Sequence, residues 1–332
     1  MEYTKLGQTG LEVSKLCLGC MSFSDPNRGF HAGWVLDEEA SRKIIKKALD
    51  AGINFFDTAD VYNGGESEKS IGRFIKSKKG KIFVATKCGR QINPHVAAGY
   101  TREAVIQYTE DSLKRLDVDS LDLIQLHCPP TDVFYKPEIF ETLQQLQKDG
   151  KIKHFGVSVE RVEEGLKAME YEGMASIQVI YNMFRQRPHE LLFPIAREKG
   201  VGIIVRVPLA SGLLTGKFTK DSVFHAQDHR FFNRKGEAFD KGETFSGVDY
   251  DLGLEAVAEL KALFGDSSLT MNALRWILMR EEVSCVITGA SNAEQIKQNI
   301  EASDMPSLTH EQMAKVKAIY ERYIRNPAHY LW

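Results

Sequence analysis

Eight short runs along the chain are evenly apolar and β-rich: KLCLGCM (15–21), INFFDTA (53–59), KIFVATK (81–87), LDLIQLH (121–127), IKHFGVS (152–158), SIQVIYN (176–182), GIIVRVP (202–208) and SCVITGA (284–290). Most lack the alternation of a strand with one wet face, which suits a parallel sheet covered by helices. Between them lie amphipathic stretches. In EEASRKIIKKALDAG the residues Ala40, Ile44, Ala48 and Leu49 share a face, and in TREAVIQYTEDSLKRL so do Val105, Ile106, Leu113 and Leu116. Gly52, Gly80, Gly150, Gly173 and Gly200 each stand between a helical pattern and a strand. Glycine there supplies the left-handed residue that ends a helix. Strand–helix alternation with short joints implies βαβ units, and eight of them predict a closed (β/α)8 barrel. An open doubly wound sheet is the rival. It normally carries G-x-G-x-x-G after its first strand, where this chain reads LGCMSFS.

Two parts stand outside the repeat. YTKLGQTGLEVSKL predicts a β-hairpin closing the bottom of the barrel, and residues 209–250 form a long irregular stretch of the kind that is usually functional. Helical patterns follow at 252–264 and 270–281. A last helix opens at Thr309, with Gln312 in capping-box spacing. No linker interrupts the pattern, so residues 1–332 read as one domain.

Composition narrows the partners. The 43 basic and 45 acidic residues leave a formal charge of −2, which gives no electrostatic reason to expect nucleic acid or an anionic membrane. Cys17, Cys20, Cys88, Cys128 and Cys285 form no disulfide framework. The C-x-x-C at Cys17 and Cys20 sits in a strand-like run without a second ligand pair, so buried thiols are expected and no metal. The N-terminus lacks a signal-peptide core, and no apolar stretch reaches ~18 residues. A cytoplasmic protein is expected. Nothing in the sequence sets an oligomeric state.

The active face of such a barrel lies at the carboxyl ends of its strands. The runs end on or near Ser22, Asp57, Lys87, His127, Ser158, Gln178 and Asn182, Arg206, and Thr288, with Tyr62 shortly after the second run. Any one of these has an ordinary structural reading, such as a cap or a solvated side chain; the joint pattern outweighs it. A Lys ammonium against a Tyr hydroxyl favours the phenolate and pulls its pKa down from ~10. An Asp holds the Lys, and a His hydrogen-bonds a substrate oxygen. Together these groups suit proton donation to a carbonyl.

D-T-A-x-x-Y, then T-K and then Q-L-H at successive strand ends resembles the aldo-keto reductase superfamily. The segments GKIKHFGVS, VPLASGLLTGK and GASNAEQIKQN continue the resemblance in register, the last with some likeness to potassium-channel β subunits. The resemblance implies Tyr62 as general acid, Lys87 and Asp57 as its modulators, and His127 as the residue that orients the carbonyl. It implies NADPH as cofactor, with NADH binding more weakly, and a small-molecule aldehyde or ketone as substrate. The implied cofactor contacts are Met21, Asp57, Ser158 and Gln178, then Arg206, Pro208, Leu209, Ser211 and Lys217, then Gly289, Ser291, Gln295 and Asn299. Ser158 and Gln178 take the carboxamide, the strand-seven loop takes the pyrophosphate, and the last group takes the adenosine end.

Four positions depart from the family pattern. Val159 replaces an Asn that contacts the carboxamide. Arg206 replaces an aromatic that stacks on the nicotinamide, setting a cation beside the positive oxidised ring and favouring reduction. Gly289 and Gln295 replace the Lys and Arg that clamp a 2′-phosphate. Two other readings of the same residues stand beside this one. They are a cofactor-binding regulatory protein with vestigial reductase chemistry, and a Schiff-base aldolase or isomerase using Lys87.

Overall fold

The sequence's alternation of apolar runs and amphipathic stretches closes into a barrel in the computed structural model, which describes residues 1–23, 36–76 and 82–332. A hairpin comes first: β1 (Tyr3–Lys5) pairs antiparallel with β2 (Glu12–Ser14). Eight parallel strands follow: β3 (Leu16–Gly19), β4 (Phe55–Asp57), β5 (Phe83–Cys88), β6 (Leu121–His127), β7 (Ile152–Ser158), β8 (Met174–Ile180), β9 (Gly202–Arg206) and β10 (Val283–Gly289). Each pairs with the next, and β10 returns to β3. The eight expected runs are the eight strands. β6 and β7 match to the residue, while β3 stops at Gly19 and β8 starts at Met174. Residues 24–35 and 77–81, Gly80 and Lys81 among them, lie outside the described residues.

Side chains alternate faces along a strand, and this sets the barrel interior. Phe55, Phe83, Ala85, Leu123, Ile204, Cys17 and Cys285 form one buried cluster with Leu6 and Val13 of the hairpin. The hairpin therefore plugs the barrel bottom with its own apolar residues, and the Gln8 N–H donates to Gly200 O at 2.8 Å. One pleat further up each strand, the same inward face presents Asp57, Lys87, Gln125 then His127, and Arg206. The polar rim is the continuation of an apolar plug.

The outer core lies between the strands and the helices α1 (Glu38–Asp50), α2 (Glu66–Ile75), α3 (Arg102–Leu116), α4 (Pro137–Lys148), α5 (Val162–Ala168) and α6 (Leu192–Glu198). The buried stripe of α1 is Ser41, Ile44, Ile45 and Ala48; the expected Ala40 and Leu49 are only half-buried at its margins. On α3 the stripe runs Val105, Thr109, Ser112, Leu113 and Leu116, and Ile106 faces out. Small hydroxyl residues take the close-packed places there, which an apolar-only pattern misses. Gly52, Gly150, Gly173 and Gly200 all have positive φ, as their role at helix ends requires.

Residues 209–250 fold into short 3-10 turns at Ala210–Thr215, Lys241–Glu243 and Phe245–Gly247, and one helical turn α7 (His229–Phe232). Phe218, Phe224, Phe245 and Tyr250 pack ring against ring, Phe218 edge-on to Phe224 and the Phe224–Phe245 and Phe245–Tyr250 pairs tilted, with Arg230 and Arg234 over their rings. Helices α8 (Tyr250–Phe264) and α9 (Leu269–Leu278) lead to β10. Helix α10 (Ala293–Asp304) follows it, and α11 (His310–Tyr320) opens with the Thr309–Gln312 capping box. No described helix is long and apolar enough to cross a membrane.

Candidate active site

Three strand ends and one turn bring the tetrad together. Asp57 closes β4, Lys87 is next to last in β5, and His127 closes β6. Tyr62 opens a 3-10 turn, Tyr62–Gly65, in which Asn63 is left-handed. That turn is pinned: the Asn63 amide donates to Met21 O and Phe23 O at 3.0 Å each, and the Asp60 N–H donates to Lys87 O at 3.0 Å.

The Lys87 ammonium has three donor hydrogens and three acceptors. They are Asp57 Oδ1 at 2.5 Å, Thr58 O at 2.8 Å and the Tyr62 hydroxyl oxygen at 3.4 Å. Gln178 donates to the other Asp57 oxygen at 2.9 Å. The His127 ring stands edge-on to Tyr62, with centroids 5.7 Å apart, and its Nδ1 has no partner among the described residues.

The electrostatics separate the roles. Burial pulls the Lys87 pKa down, but Asp57 and Tyr62 outweigh it, so Lys87 stays cationic. Burial, with Arg90 and Lys87 behind it, holds His127 well below the usual histidine range, so the imidazole is neutral. The Tyr62 hydroxyl departs from the sequence expectation. Burial is the largest influence and lifts it above the ordinary tyrosine value; the Lys87 charge pulls it back only in part, with Asp57 opposing. The sequence carries the Lys–Tyr pairing but not the depth at which it is buried. The result is a protonated phenol between a cation and a neutral imidazole.

The remaining expected residues divide. The Ser158 hydroxyl has only long contacts, 3.4 Å to Gln178 Oε1 and 3.4 Å from Cys128 Sγ. Met21 is on the surface, Pro208 is buried, Leu209 is half-buried and Lys217 is exposed. The Ser211 hydroxyl donates to Glu243 O and accepts from the Phe245 N–H, both at 3.1 Å, clasping its loop to segment 243–245. Asn299 donates to Gly289 O at 3.3 Å. A Cβ at Gly289 would meet nothing within 4 Å, so the space there is open. Gln295 Oε1 accepts from both the N–H and the hydroxyl of Ser291, at 2.7 and 3.1 Å. The expected hydroxyl donation from Ser291 is thus spent within the turn, leaving the Gln295 amide nitrogen. Asn292 caps α10.

Two strand-end residues turn away from the rim. Thr288 bonds Cys17 O at 3.3 Å, and Asn182 bonds Val207 O and Ser246 Oγ at 2.9 and 2.8 Å. Arg206 is not the free cation expected: it pairs with Glu160 and Glu243, and Arg90 pairs with the same two. Arg90, Glu160 and Glu243 escaped the sequence reading. Cys128, Glu160 and Glu243 bring ligand-type atoms within 4.8 Å of one another, yet the Arg206 guanidinium contacts all three and supplies the positive charge.

Residues 15–321 match the model of the Aldo/keto reductase family. The chain is 31% identical over 330 residues to the aldo-keto reductase YhdN of Bacillus subtilis, covering 98% of this chain and 96% of that one. It is 29% identical over 344 residues to a probable voltage-gated potassium channel subunit beta of Arabidopsis thaliana, covering 99% and 100%, in keeping with the expected likeness. Among solved structures, the holo form of the aldo-keto reductase AKR11C1 from Bacillus halodurans superposes with a TM-score of 0.75, at 28% identity and 96% coverage of each chain. The tetrad-bearing barrel and these likenesses agree: the chain belongs to the aldo/keto reductase family and is an oxidoreductase.

Proposed function

We propose that this protein reduces aldehyde or ketone carbonyls to alcohols with NADPH, and that Tyr62 is the general acid. The observation that carries the reading is the Lys87 ammonium, bonded at once to Asp57 Oδ1 and to the Tyr62 hydroxyl at the barrel mouth. A bound nicotinamide dinucleotide supplies the hydride. Tyr62 Oη gives its proton to the carbonyl oxygen, and Lys87 steadies the phenolate that remains. Neutral His127 orients that oxygen. Asp57, held in turn by Gln178, fixes Lys87 in place.

The residues present fit the cofactor. The Ser158 hydroxyl and the Gln178 carbonyl make only long contacts, 3.4 Å with one another and 3.4 Å from Cys128 Sγ to Ser158, which leaves both able to receive a carboxamide. Ser211 lies in a loop where Val207, Ala210 and Ser211 have positive φ, near 50°. Such a backbone suits a close approach to pyrophosphate and persists because segment 243–245 clasps it. Gly289 faces open space beside the N-terminus of α10, a favourable end for an anion. Met21, Arg206, Pro208, Leu209, Lys217, Ser291, Gln295 and Asn299 complete the assigned contacts. The reading is of one catalytic domain over residues 1–332, cytoplasmic, with a small carbonyl compound as partner.

The test is cofactor oxidation by the purified protein against a panel of aldehydes, ketones and quinones, with NADPH and NADH compared by titration. Turnover with NADPH is expected. One or two neutral hydrogen bonds at the 2′-phosphate, each worth roughly 0.5–1.5 kcal/mol, give NADPH an advantage on the order of 2- to 100-fold. No turnover with either dinucleotide would overturn the activity. Equal or tighter NADH binding would overturn the cofactor assignment.

A further inference from the structure

Arg206 closes β9 with both terminal nitrogens occupied. Nη2 is 3.0 Å from Glu160 Oε1, and Nη1 is 3.1 Å from Glu243 Oε2. Nη2 also donates to Val159 O at 3.2 Å and touches Cys128 Sγ at 3.4 Å. Arg90 shares the same acceptors, with Nη2 2.8 Å from Glu243 Oε1 and 3.4 Å from Glu160 Oε1. Four elements contribute to this ring: the ends of β5, β7 and β9, and the long segment that delivers Glu243. Arg206 is 8% exposed, so water does little to screen its charge and countercharge must come from the protein.

The ring borders the reaction space. Cys128 Sγ touches both Arg206 Nη2 and Ser158 Oγ. Tyr62 and Arg206 lie close enough to feel each other's charge, as do His127 and Glu243. With its carboxamide held by Ser158 and Gln178, as assigned above, a nicotinamide would lie beside Cys128, and through Cys128 it would come near the Arg206 guanidinium.

We propose that Glu243 offsets the charge of Arg206 beside the nicotinamide and so sets the relative affinity for oxidised and reduced dinucleotide. The proposal rests on the cofactor reading above. The oxidised ring carries a positive charge and the reduced ring does not, so an uncompensated guanidinium penalises only the oxidised form. Glu243 rather than Glu160 is the effective countercharge. Despite its burial, Arg206 and Arg90 hold the Glu243 carboxyl well below the ordinary range, whereas burial lifts Glu160 to about 8. Glu243 also faces both guanidiniums through separate oxygens.

The experiment is calorimetric titration of the full-length protein with the oxidised and reduced forms of whichever dinucleotide it prefers. Wild type is compared with Glu243→Gln and Arg206→Met, and melting temperatures report folding. Glu243→Gln should raise the ratio of oxidised to reduced Kd by about tenfold or more, the size of a nearby unit charge in a poorly screened site. Arg206→Met, which removes the cation and keeps the carboxylate, should lower the ratio below wild type. If Glu243→Gln fails to fold, the sign of the Arg206→Met change alone decides. A ratio within about twofold of wild type in each folded variant, or one moving the same way in both, would overturn the proposal, since general damage weakens both forms alike. If wild type binds neither dinucleotide, the cofactor reading falls and this proposal with it.

Discussion

Lys87 has as many donor hydrogens as it has neighbours to hold, and each neighbour has a different use. Asp57 favours its charged form, Thr58 O fixes its direction, and in the proposed mechanism Tyr62 is the group it acts on. Replacing it with methionine keeps most of the volume and removes the charge. Lys87→Met is expected to cut carbonyl reduction by about 10²-fold or more. It should also move the pH profile of the reverse reaction. On the proposed mechanism alcohol oxidation uses the Tyr62 phenolate, so its rate should rise with pH through the Tyr62 pKa. Burial already raises that pKa, and Lys87 is the largest influence pulling it down. Without Lys87 the rise shifts to higher pH. A pH–rate profile that stays in place, with normal rates, would make Lys87 structural only. The four residues were legible from strand periodicity and motif spacing. The direction of the Tyr62 shift was not, because burial depth is a property of the packed site.

At the scale of elements, the turn between β4 and Tyr62 carries a buried acid the sequence reading passed over. Asp60 is buried within reach of the charges of Glu68 of α2 and Arg115 of α3. Burial and the Glu68 charge push its carboxyl up to about 7, with Arg115 and backbone N–H groups opposing. A carboxyl whose folded pKa lies above its unfolded value of 3.8 stabilises the protein fully below about 4. That contribution is lost as pH rises through about 7. The loss is on the order of 1–4 kcal/mol. Asp60→Asn cannot ionise, so it should be more stable than wild type at pH near 8 and should flatten the fall between about 4 and 7. Urea unfolding of both proteins at both ends of that range checks this; a parallel loss of stability would clear Asp60. Strands, hairpin and the Thr309 cap were readable because their signals are local. The Arg90 ring was not: its partners Glu160 and Glu243 lie 70 and 153 residues away, and only closure of the barrel and folding of the long segment bring them together.

Over the whole molecule, one strand periodicity serves two ends of the barrel. At the bottom the inward positions are Phe55, Phe83, Leu123 and Ile204, sealed by the hairpin's Leu6 and Val13. At the top they are Asp57, Lys87, His127 and Arg206. The plug makes the interior a packed floor rather than a channel, so chemistry is confined to the mouth. There the segment 243–245 clasps the loop that follows β9. Family, barrel and tetrad were all visible in the sequence, since each rests on a pattern that survives in one dimension. The reaction assigned to that mouth depends on a single proton. The direct measurement is turnover and cofactor affinity of Tyr62→Phe, on the best carbonyl substrate from the panel. The phenylalanine keeps the ring and removes only the donor, so kcat should fall by about 10²–10⁴-fold while the NADPH Kd stays within about twofold of wild type. Retention of more than about a tenth of the wild-type kcat would contradict Tyr62 as the acid and, with it, the account of how this site works.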